Sequence, residues 1–432
     1  MRPALPEPIC VVDGVRTPFL KARNAPGPFS ASDLAVACGR ALLTRVPIAA
    51  DQIDEVILGC ANPSADEVNI GRYVAMRLGC GDRVTGWTVM RNCASGMQAL
   101  DSAINAMLAG RSEVVLAGGV DALSHAPLLY SPEAVLWFAA LAQAKSLTQR
   151  AGVFARMPVR ALLNPVIALM RGLTDPKVGL LMGQTAENLA FRFGISRADM
   201  DAFAAESHAR VLVAQRAGDF DGEIVPLIDA KGHAYEADDG VREDSTVERL
   251  ARLKPFFDRS YGNITAGNSS QVTDGGVFLL LATQAAVERY RLPVLGRIVD
   301  SQWAGCDPAQ MGLGPVYAAT PMLVRNGLGL DDLDTVEINE AFAAQVLACL
   351  RAWEDADFCR NELGLDGALG ALNRARLNVN GGAIALGHPV GASGARIVLS
   401  ALRTLKRTGG RRALAAICIG GGQGGAMLLE AA

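Results

Sequence analysis

Apolar residues follow two spacings along this chain, and the two alternate. Continuous apolar runs of four to eight residues are typical of buried strands, whereas apolar residues recurring every three or four positions are typical of helices. In the first 126 residues these patterns predict strands at 9–19, 53–60, 87–90 and 112–119, and helices at 30–43, 69–78 and 96–110. Ser30 or Ser32 is expected to cap the first helix. The alternation predicts an α/β fold with a mostly parallel sheet and helices on both faces.

The same order of elements recurs in the last third of the chain. The strand-like VLGRIVDSQ is followed by the helical PVYAATPMLVRNGL, and LDDLDTVEINE matches ADQIDEVILGC in placement and pattern. The turn at His388 corresponds to the turn at Cys93, and RALAAICIGGG corresponds to SEVVLAGG. We interpret this as an internal duplication that produces two related halves facing one site. Both turns are predicted at the carboxyl ends of strands, where doubly wound sheets place their ligands.

The middle of the chain breaks this pattern. Residues 127–251 are predicted to form a mostly helical inserted domain, laid over a first half made of 1–126 and 252–290; the second half is 291–432. The stretch 135–171 is apolar and basic, with no acidic residue between Glu133 and Asp175. We expect a packed helix pair with solvated arginines there, and a membrane-surface element is the alternative.

Composition excludes several classes of protein. Half of the 432 residues are apolar and 46 are glycine, which is typical of packed α/β layers. A formal net charge of −3 gives no electrostatic reason to expect nucleic acid. The nine cysteines show no CxxC spacing, so neither a metal site nor a disulfide framework is expected. With no transmembrane run and no signal-like amino terminus, a cytoplasmic location is predicted.

Two cysteines and one histidine stand out by their surroundings. Cys93 in NCASG and His388 in GHPVGASG each sit beside small residues at a predicted strand-to-helix turn, and Cys418 ends an apolar run directly before GGGQGG. The turn before a helix is a poor place to bury an inert thiol, so Cys93 is interpreted as reactive. The cysteines other than Cys93 and Cys418 are interpreted as small core residues. Cys93, His388 and Cys418 together therefore indicate thiol-based acyl transfer.

Five motifs in order resemble the thiolase family across almost the whole chain. They are NCASG around Cys93, GNSSQVTDGG at 267–276, NEAFAAQ at 339–345, GHPVGASGAR at 387–396 and CIGGGQGGA at 418–426. The resemblance implies a duplicated α/β/α/β/α layered fold and an acyl-CoA:acetyl-CoA C-acyltransferase. Such an enzyme cleaves 3-ketoacyl-CoA with CoA through an acyl-cysteine. The resemblance also implies CoA and acyl-CoA as substrates, no cofactor and no metal.

The resemblance further assigns roles to individual residues. Cys93 is the expected nucleophile, with His388 as its base, and these surroundings should favour the thiolate. Cys418 is the expected second acid/base. His388, with a water held by Asn339, is expected to bind the enolate oxygen, and the backbone N–H groups of Cys93 and Gly420 the acyl oxygen. Ser270 is expected to contact the pantetheine of CoA. The alternatives are that Asn339 caps the following helix and that Ser270 stabilises a turn.

Several functional alternatives remain open within and outside this family. The long stretch between NEAF and GHP is similar to the thiolase subunit of trifunctional β-oxidation complexes, but Asn339 stands where those subunits usually carry histidine. A 3-ketoacyl-CoA thiolase of fatty-acid degradation is favoured over an acetyl-CoA C-acetyltransferase that makes acetoacetyl-CoA. A ketosynthase is disfavoured by Cys418, and a non-catalytic lipid-binding scaffold by retention of the whole set. A homodimer or homotetramer is implied, with a hydratase/dehydrogenase subunit as a further possible partner.

Overall fold

The computed structural model describes residues 4–23 and 25–432. Within these ranges the chain forms fourteen strands. In chain order they are β1 Ile9–Arg16, β2 Leu20–Lys21, β3 Glu55–Gly59, β4 Thr85–Val89, β5 Val114–Ala122, β6 Leu128–Leu129, β7 Val166–Ile167, β8 Leu227–Ile228, β9 Ala234–Tyr235, β10 Thr273–Ala282, β11 Gly296–Gly305, β12 Thr335–Ile338, β13 Arg412–Ile419 and β14 Gln423–Ala431.

The same described ranges contain sixteen α-helices. They are α1 Ala31–Leu43, α2 Ile70–Arg77, α3 Ser95–Leu108, α4 Pro132–Gln143, α5 Leu147–Phe154, α6 Val159–Leu163, α7 Ala168–Gly172, α8 Met182–Arg192, α9 Arg197–Ala217, α10 Val247–Leu250, α11 Gln284–Tyr290, α12 Gly314–Arg325, α13 Ala343–Glu354, α14 Ala356–Leu363, α15 Ala383–Leu386 and α16 Val390–Thr408. The predicted cap is confirmed, because the Ser30 hydroxyl accepts the N–H of Asp33 at the start of α1.

Nine strands form one continuous path in the order β12-β13-β14-β11-β1-β10-β5-β3-β4, and β2 pairs with β10. Along this path the pairs β12/β13, β3/β4 and β3/β5 are parallel, and the five pairs at its centre are antiparallel. The expectation of a mostly parallel sheet is therefore wrong. Strands that are joined by a helical crossover pair in parallel. Strands β10 and β14 instead lie beside β5 and β13 and run antiparallel to them.

The predicted duplication is confirmed by the order of the strands. From its outer edge the first half reads β4-β3-β5-β10-β1, and the second reads β12-β13-β14-β11, so the two halves run in mirrored order toward the β1/β11 junction. Among the described residues the second half has no strand at the position of β4, and Leu377 forms a single parallel bridge to Val336 of β12 there. Each half therefore repeats one topological plan, as the sequence pattern predicts.

The layers follow from which helices touch which strands. Helices α3 and α16 pack against each other; α3 also lies on β3 and β5, while α16 lies on strands of both halves. Helix α1 covers the outer side of β5 and β10, and α12 covers the outer side of β11 and β14. Three separate clusters of buried apolar side chains fill the spaces between these layers. This is the expected α/β/α/β/α arrangement.

Glycines allow the two central helices to begin very close to the sheet. A Cβ on Gly119 of β5 would lie 1.9 Å from the carbonyl oxygen of Gly391 and 2.9 Å from the Cα of Gly96. Gly391 is in the first turn of α16 and Gly96 in the first turn of α3. The starts of both helices, and the turns that precede them, are therefore positioned by direct backbone contact.

The inserted region was expected to lie over the first half. It packs on both halves instead. Helices α8 and α9 pack on α13 of the second half, and their side chains belong to the same apolar core as α12 and α13. The chain after α9 contacts the first half, where Glu223 pairs with Arg16 and Tyr235 packs on Phe29. Leu189 of α8 and Phe203 of α9 are buried in this core together with the apolar side chains of α13.

Residues 128–170 form the expected packed helices, but they leave much apolar surface exposed. Trp137 of α4 packs edge-to-face against Phe154 of α5, and its indole N–H donates to the carbonyl of Val153. Leu136, Leu147 and Leu163 nevertheless expose 71%, 85% and 74% of their surface. Among the described residues, no helix is both long and apolar enough to cross a membrane.

Candidate active site

Cys93 lies in a tight turn between β4 and α3, two residues before the helix starts. The turn requires Asn92 to adopt a left-handed conformation with φ of 44°, which asparagine tolerates better than most residues. Ser95 closes the turn, because its hydroxyl donates to the carbonyl of Asn92 and accepts the N–H of Arg91. The Asn92 side chain then donates to the carbonyl of Gly420 at 2.8 Å. This bond joins the Cys93 turn to the loop that follows Cys418.

The environment of the Cys93 thiol favours its protonated form. Burial raises the pKa of Cys93 above its ordinary value, although the backbone N–H dipoles of Gly420 and of Cys93 itself act in the opposite direction. The expectation that the surroundings favour the thiolate at rest is therefore wrong, because desolvation of the thiolate outweighs the effect of the helix N-terminus. A base must remove the proton.

Cys418 is the penultimate residue of β13 and is 1% exposed. Burial, with the neighbouring thiols of Cys93 and Cys349 as further causes, raises the pKa of Cys418 well above its ordinary value. The two predicted catalytic cysteines are therefore electrostatic neighbours although they are far apart in sequence. Cys418 keeps its proton at neutral pH, which suits a proton donor.

Of the two ring nitrogens of His388, Nδ1 has a hydrogen-bond partner among the described residues and Nε2 has none. His388 precedes α16, and its Nδ1 lies 2.5 Å from the hydroxyl oxygen of Ser393. That hydroxyl donates its single hydrogen to the carbonyl of Pro389 at 3.0 Å, so it accepts from His388. Nδ1 therefore carries the ring hydrogen and Nε2 has a free lone pair. Nε2 is buried, with no hydrogen-bond partner in the described part of the chain.

His388 is neutral at physiological pH. Burial, with the charge of Arg396 as a second cause, lowers the pKa of His388 to about 4. A neutral ring with a bare Nε2 can accept a proton but cannot donate one. Once it has accepted a proton, Nε2–H becomes a donor. The ring can therefore act first as a base and afterwards as a donor to an oxyanion.

Asn339 follows β12 and is completely buried. Its backbone N–H bonds the carbonyl of Ala416 in β13, and its Oδ1 accepts from Nη2 of Arg396 at 3.4 Å. The Nδ2 group has no partner among the described residues. Helix α13 starts only at Ala343, with Phe342 at its N-cap, so the alternative that Asn339 caps this helix is wrong. A buried amide donor without a partner remains, which suits a site for an oxyanion or a water.

Ser270 lies beside the NEAF motif, because its backbone N–H bonds the carbonyl of Ala341 at 3.0 Å. The adjacent Ser269 forms a β-bridge with Phe342. The segment containing Ser270 therefore forms part of the wall next to Asn339. Its contact with pantetheine stays a prediction.

Two supporting groups were missed in the sequence. Glu337 and Arg396 form a buried ion pair at 2.8 Å behind Asn339. Glu340 accepts hydrogen bonds from Ser207, Asn378 and the backbone of Ile384, and so fixes the loop that leads to His388. The available signal was a charged residue within an otherwise apolar strand or helix, as in TVEI and GARIVL, since such residues are rarely buried unpaired.

Asp121 is a third such group. Its buried carboxylate at the end of β5 accepts the backbone N–H groups of Asn62 and Gly391, at 2.8 and 2.5 Å. It therefore caps the start of α16 from another strand. Burial raises the pKa of Asp121 to about 6.

Comparison with known proteins gives a consistent family. Models of the thiolase N-terminal and C-terminal domains match residues 9–285 and 292–431. A β-ketoadipyl-CoA thiolase of Pseudomonas aeruginosa is 40% identical over 428 residues, covering 98% of both chains. A 3-ketoacyl-CoA thiolase of Yersinia pestis is 36% identical, covering 98% of this chain and 96% of that protein.

Solved structures agree over the full length. Human mitochondrial 3-ketoacyl-CoA thiolase in complex with CoA superposes with a TM-score of 0.85 at 35% identity, and both chains are covered completely. The acetyl-CoA acetyltransferase of Bacillus anthracis gives a TM-score of 0.81, also at 35% identity and complete coverage. The likeness therefore extends over both halves and the inserted region.

Proposed function

The chain belongs to the thiolase family of acyltransferases, and we propose that it cleaves 3-ketoacyl-CoA with CoA to acetyl-CoA and a shortened acyl-CoA, in fatty-acid β-oxidation. The observation that carries the proposal is the 2.8 Å hydrogen bond from the Asn92 side chain to the carbonyl of Gly420, which holds the Cys93 turn against the loop that follows Cys418. A nucleophile, an oxyanion donor and a proton donor are thus present together, as Claisen-type cleavage requires.

In the first half-reaction Cys93 becomes acylated. Nε2 of His388 takes the thiol proton, and the sulfur attacks the C3 keto carbon of the substrate. The N–H groups of Cys93 and Gly420 stabilise the oxygen as it becomes negative. The C2–C3 bond then breaks, leaving the shortened acyl group on Cys93 and acetyl-CoA as its enolate. Cys418 protonates C2 of this enolate, which releases acetyl-CoA.

The enolate needs its own oxyanion site. We assign it to Nε2–H of His388, which carries the proton taken from Cys93, and to the amide N–H of Asn339, directly or through a water. One such donor typically contributes about 3 kcal/mol to the transition state. In the second half-reaction a CoA thiol gives its proton to the Cys418 thiolate and attacks the acyl-cysteine, and Cys93 leaves as a thiolate that regains its proton from His388. Ser270 is proposed to contact the pantetheine arm.

The proposal requires no metal and no redox cofactor, because these side chains and backbone groups supply every proton and every oxyanion contact in the two half-reactions. CoA enters as a substrate. Dialysis of the purified protein against a chelator is therefore expected to leave the thiolysis rate unchanged. A rate that falls and is restored by a divalent ion would contradict this part of the proposal.

The test is the CoA-dependent thiolysis rate on acetoacetyl-CoA, 3-ketoadipyl-CoA and a long-chain 3-ketoacyl-CoA, with Cys93→Ala as control. Met182 of the inserted region lies beside the Gly420 loop, where its sulfur would be 3.2 Å from a Cβ on Gly420, so the insertion borders the acyl site. We expect the highest kcat/KM on the long chain. Activity that survives in Cys93→Ala would refute the mechanism. A wild-type protein that cleaves none of the three substrates would favour a non-catalytic scaffold.

The second candidate is an acetyl-CoA C-acetyltransferase that makes acetoacetyl-CoA. It is supported by the likeness to the Bacillus anthracis acetyltransferase and by the retention of Asn339. In the assay above, a preference for acetoacetyl-CoA would select this function. A preference for 3-ketoadipyl-CoA would instead select the substrate named for the Pseudomonas relative.

The proposal includes a cytoplasmic homo-oligomer in which another subunit covers residues 128–170. Its support is the exposed apolar surface of Leu136, Leu147 and Leu163. Sedimentation velocity is expected to show a dimer or tetramer, and Leu136→Lys with Leu163→Lys to dissociate it. If the double variant keeps the wild-type assembly, this surface has another occupant, for which a hydratase/dehydrogenase subunit and a membrane surface are the candidates. Co-purification and vesicle flotation distinguish those two.

A further inference from the structure

Arg396 and Glu337 form a fully buried ion pair directly behind the proposed enolate site. Nη1 of Arg396 lies 2.8 Å from Oε2 of Glu337, and the two side chains are 2% and 1% exposed. Ser400 donates to the other carboxylate oxygen at 3.3 Å. Burying two charges usually costs more than their attraction returns, so such a pair is weak evidence for stability. A role other than stability has to account for its place here.

The other end of the guanidinium reaches Asn339. Nη2 lies 3.4 Å from Oδ1 of Asn339, and Asn339 itself is completely buried. An arginine has only donors, so it can accept nothing from the Nδ2 group and fixes the amide with Oδ1 toward itself. Nδ2 is then turned away from Arg396, and it has no partner among the described residues. Without Arg396 the carboxamide would be free to rotate, and either of its ends could face the site.

The same guanidinium also acts on His388. Arg396 is in the second turn of α16, the helix that begins two residues after His388. Its positive charge adds to the effect of burial in lowering the pKa of His388. Burial is the larger of the two causes, so His388 is expected to stay neutral and to keep its role as the base for Cys93 when Arg396 is replaced.

We propose that Arg396, anchored by Glu337, is a positioning residue that fixes the Asn339 amide so that its N–H, not its carbonyl oxygen, faces the enolate oxygen. This inference rests on the proposed function. It separates the two oxyanion sites: Arg396 supports the enolate site, whereas the acyl site made by the N–H groups of Cys93 and Gly420 does not depend on it.

The test uses two exchange reactions of the full-length protein. Exchange of labelled CoA into acetyl-CoA reports acylation of Cys93. Exchange of the acetyl-CoA methyl hydrogens with D2O reports enolate formation. The main variant is Arg396→Met with Glu337→Gln, which removes both charges and leaves neither buried alone. Arg396→Lys, which keeps a cation beside Glu337 but lacks the second donor arm, is the alternative if the double variant does not fold. Arg325→Met with Asp300→Asn is the matched control, because that ion pair is similarly buried and lies on β11 and α12.

We expect the main variant to lose about 100-fold in methyl exchange and in thiolysis, the loss typical of one oxyanion donor, and less than about threefold in CoA exchange. The Arg325 control is expected to leave the ratio of the two exchange rates unchanged. Equal losses in both exchanges, or no loss in either, would overturn the inference while wild-type activity upholds the proposed function. A wild-type protein without either exchange would overturn the proposed function, and this inference with it.

Discussion

A close backbone approach below the site offers a test that changes no reacting group. Gly119 of β5 lies under the first turns of α3 and α16, and a methyl group there would sit 1.9 Å from the carbonyl oxygen of Gly391. The obstacle is backbone, so no side-chain rotation can relieve it. Gly119→Ala must therefore push the start of α16 away from the sheet, and His388 is three residues before Gly391.

The size of the displacement follows from the same distance. Real contacts of a Cβ are essentially never shorter than 3.0 Å, so the helix start must move by at least 3.0 − 1.9 = 1.1 Å. A misplacement of about 1 Å in a catalytic group costs about 100-fold in rate. Overpacking of this kind also costs about 2 kcal/mol of stability. We expect Gly119→Ala to fold, to bind CoA and to lose about 100-fold in kcat for thiolysis.

Gly152→Ala is the matched control. Gly152 is in α5, and a methyl group there would meet no atom within 4 Å. Since alanine favours helix by about 1 kcal/mol over glycine, this variant should keep its kcat and be at least as stable as the wild type. The measurements are steady-state thiolysis and urea unfolding. If Gly119→Ala folds and keeps wild-type kcat, close packing against β5 does not set the position of His388.

Further predictions concern buried charges. Arg16→Met leaves Asp238 and Glu223 buried without their cation, so it should lower the free energy of unfolding, measured in urea, by about 3–5 kcal/mol. Arg23→Met removes one partner of an exposed pair and should change that free energy by less than about 1 kcal/mol. Equal losses in the two variants would contradict this prediction. Burial lowers the pKa of His208 from 6.5 to about 4. As pH falls through that window the unfolded chain takes up a proton that the folded chain does not, so stability falls; His208→Gln should flatten this slope, and an unchanged slope would refute the assignment.

The sequence predicted the elements and the catalytic turns well, because these depend on local signals. Apolar periodicity and Ser30 placed the first helix, and small residues marked the turns at Cys93 and His388. The pairing direction of the sheet was predicted wrongly. Alternation of strands and helices does not say whether β10 and β14 return antiparallel, because that depends on contacts between residues far apart in the chain.

The supporting groups of the site could not be predicted for a similar reason. Asp121 and Gly391 are 270 positions apart, and Glu337 and Arg396 are 59 apart, so no local pattern joins them. The state of the Cys93 thiol was also misjudged, since the helix N-terminus is visible in the sequence whereas burial is not. Motifs thus indicate which groups react, and only the fold shows which groups orient them.

The most direct test of the central claim is to find the acyl group. Protein incubated with acetyl-CoA, quenched in acid and digested, should carry one acetyl group on the peptide that contains Cys93, as measured by mass spectrometry. Cys418→Ser should carry the same label but fail to exchange the methyl hydrogens of acetyl-CoA with D2O. A label on Cys418 or on any other residue of the wild type, or no label at all, would contradict the account.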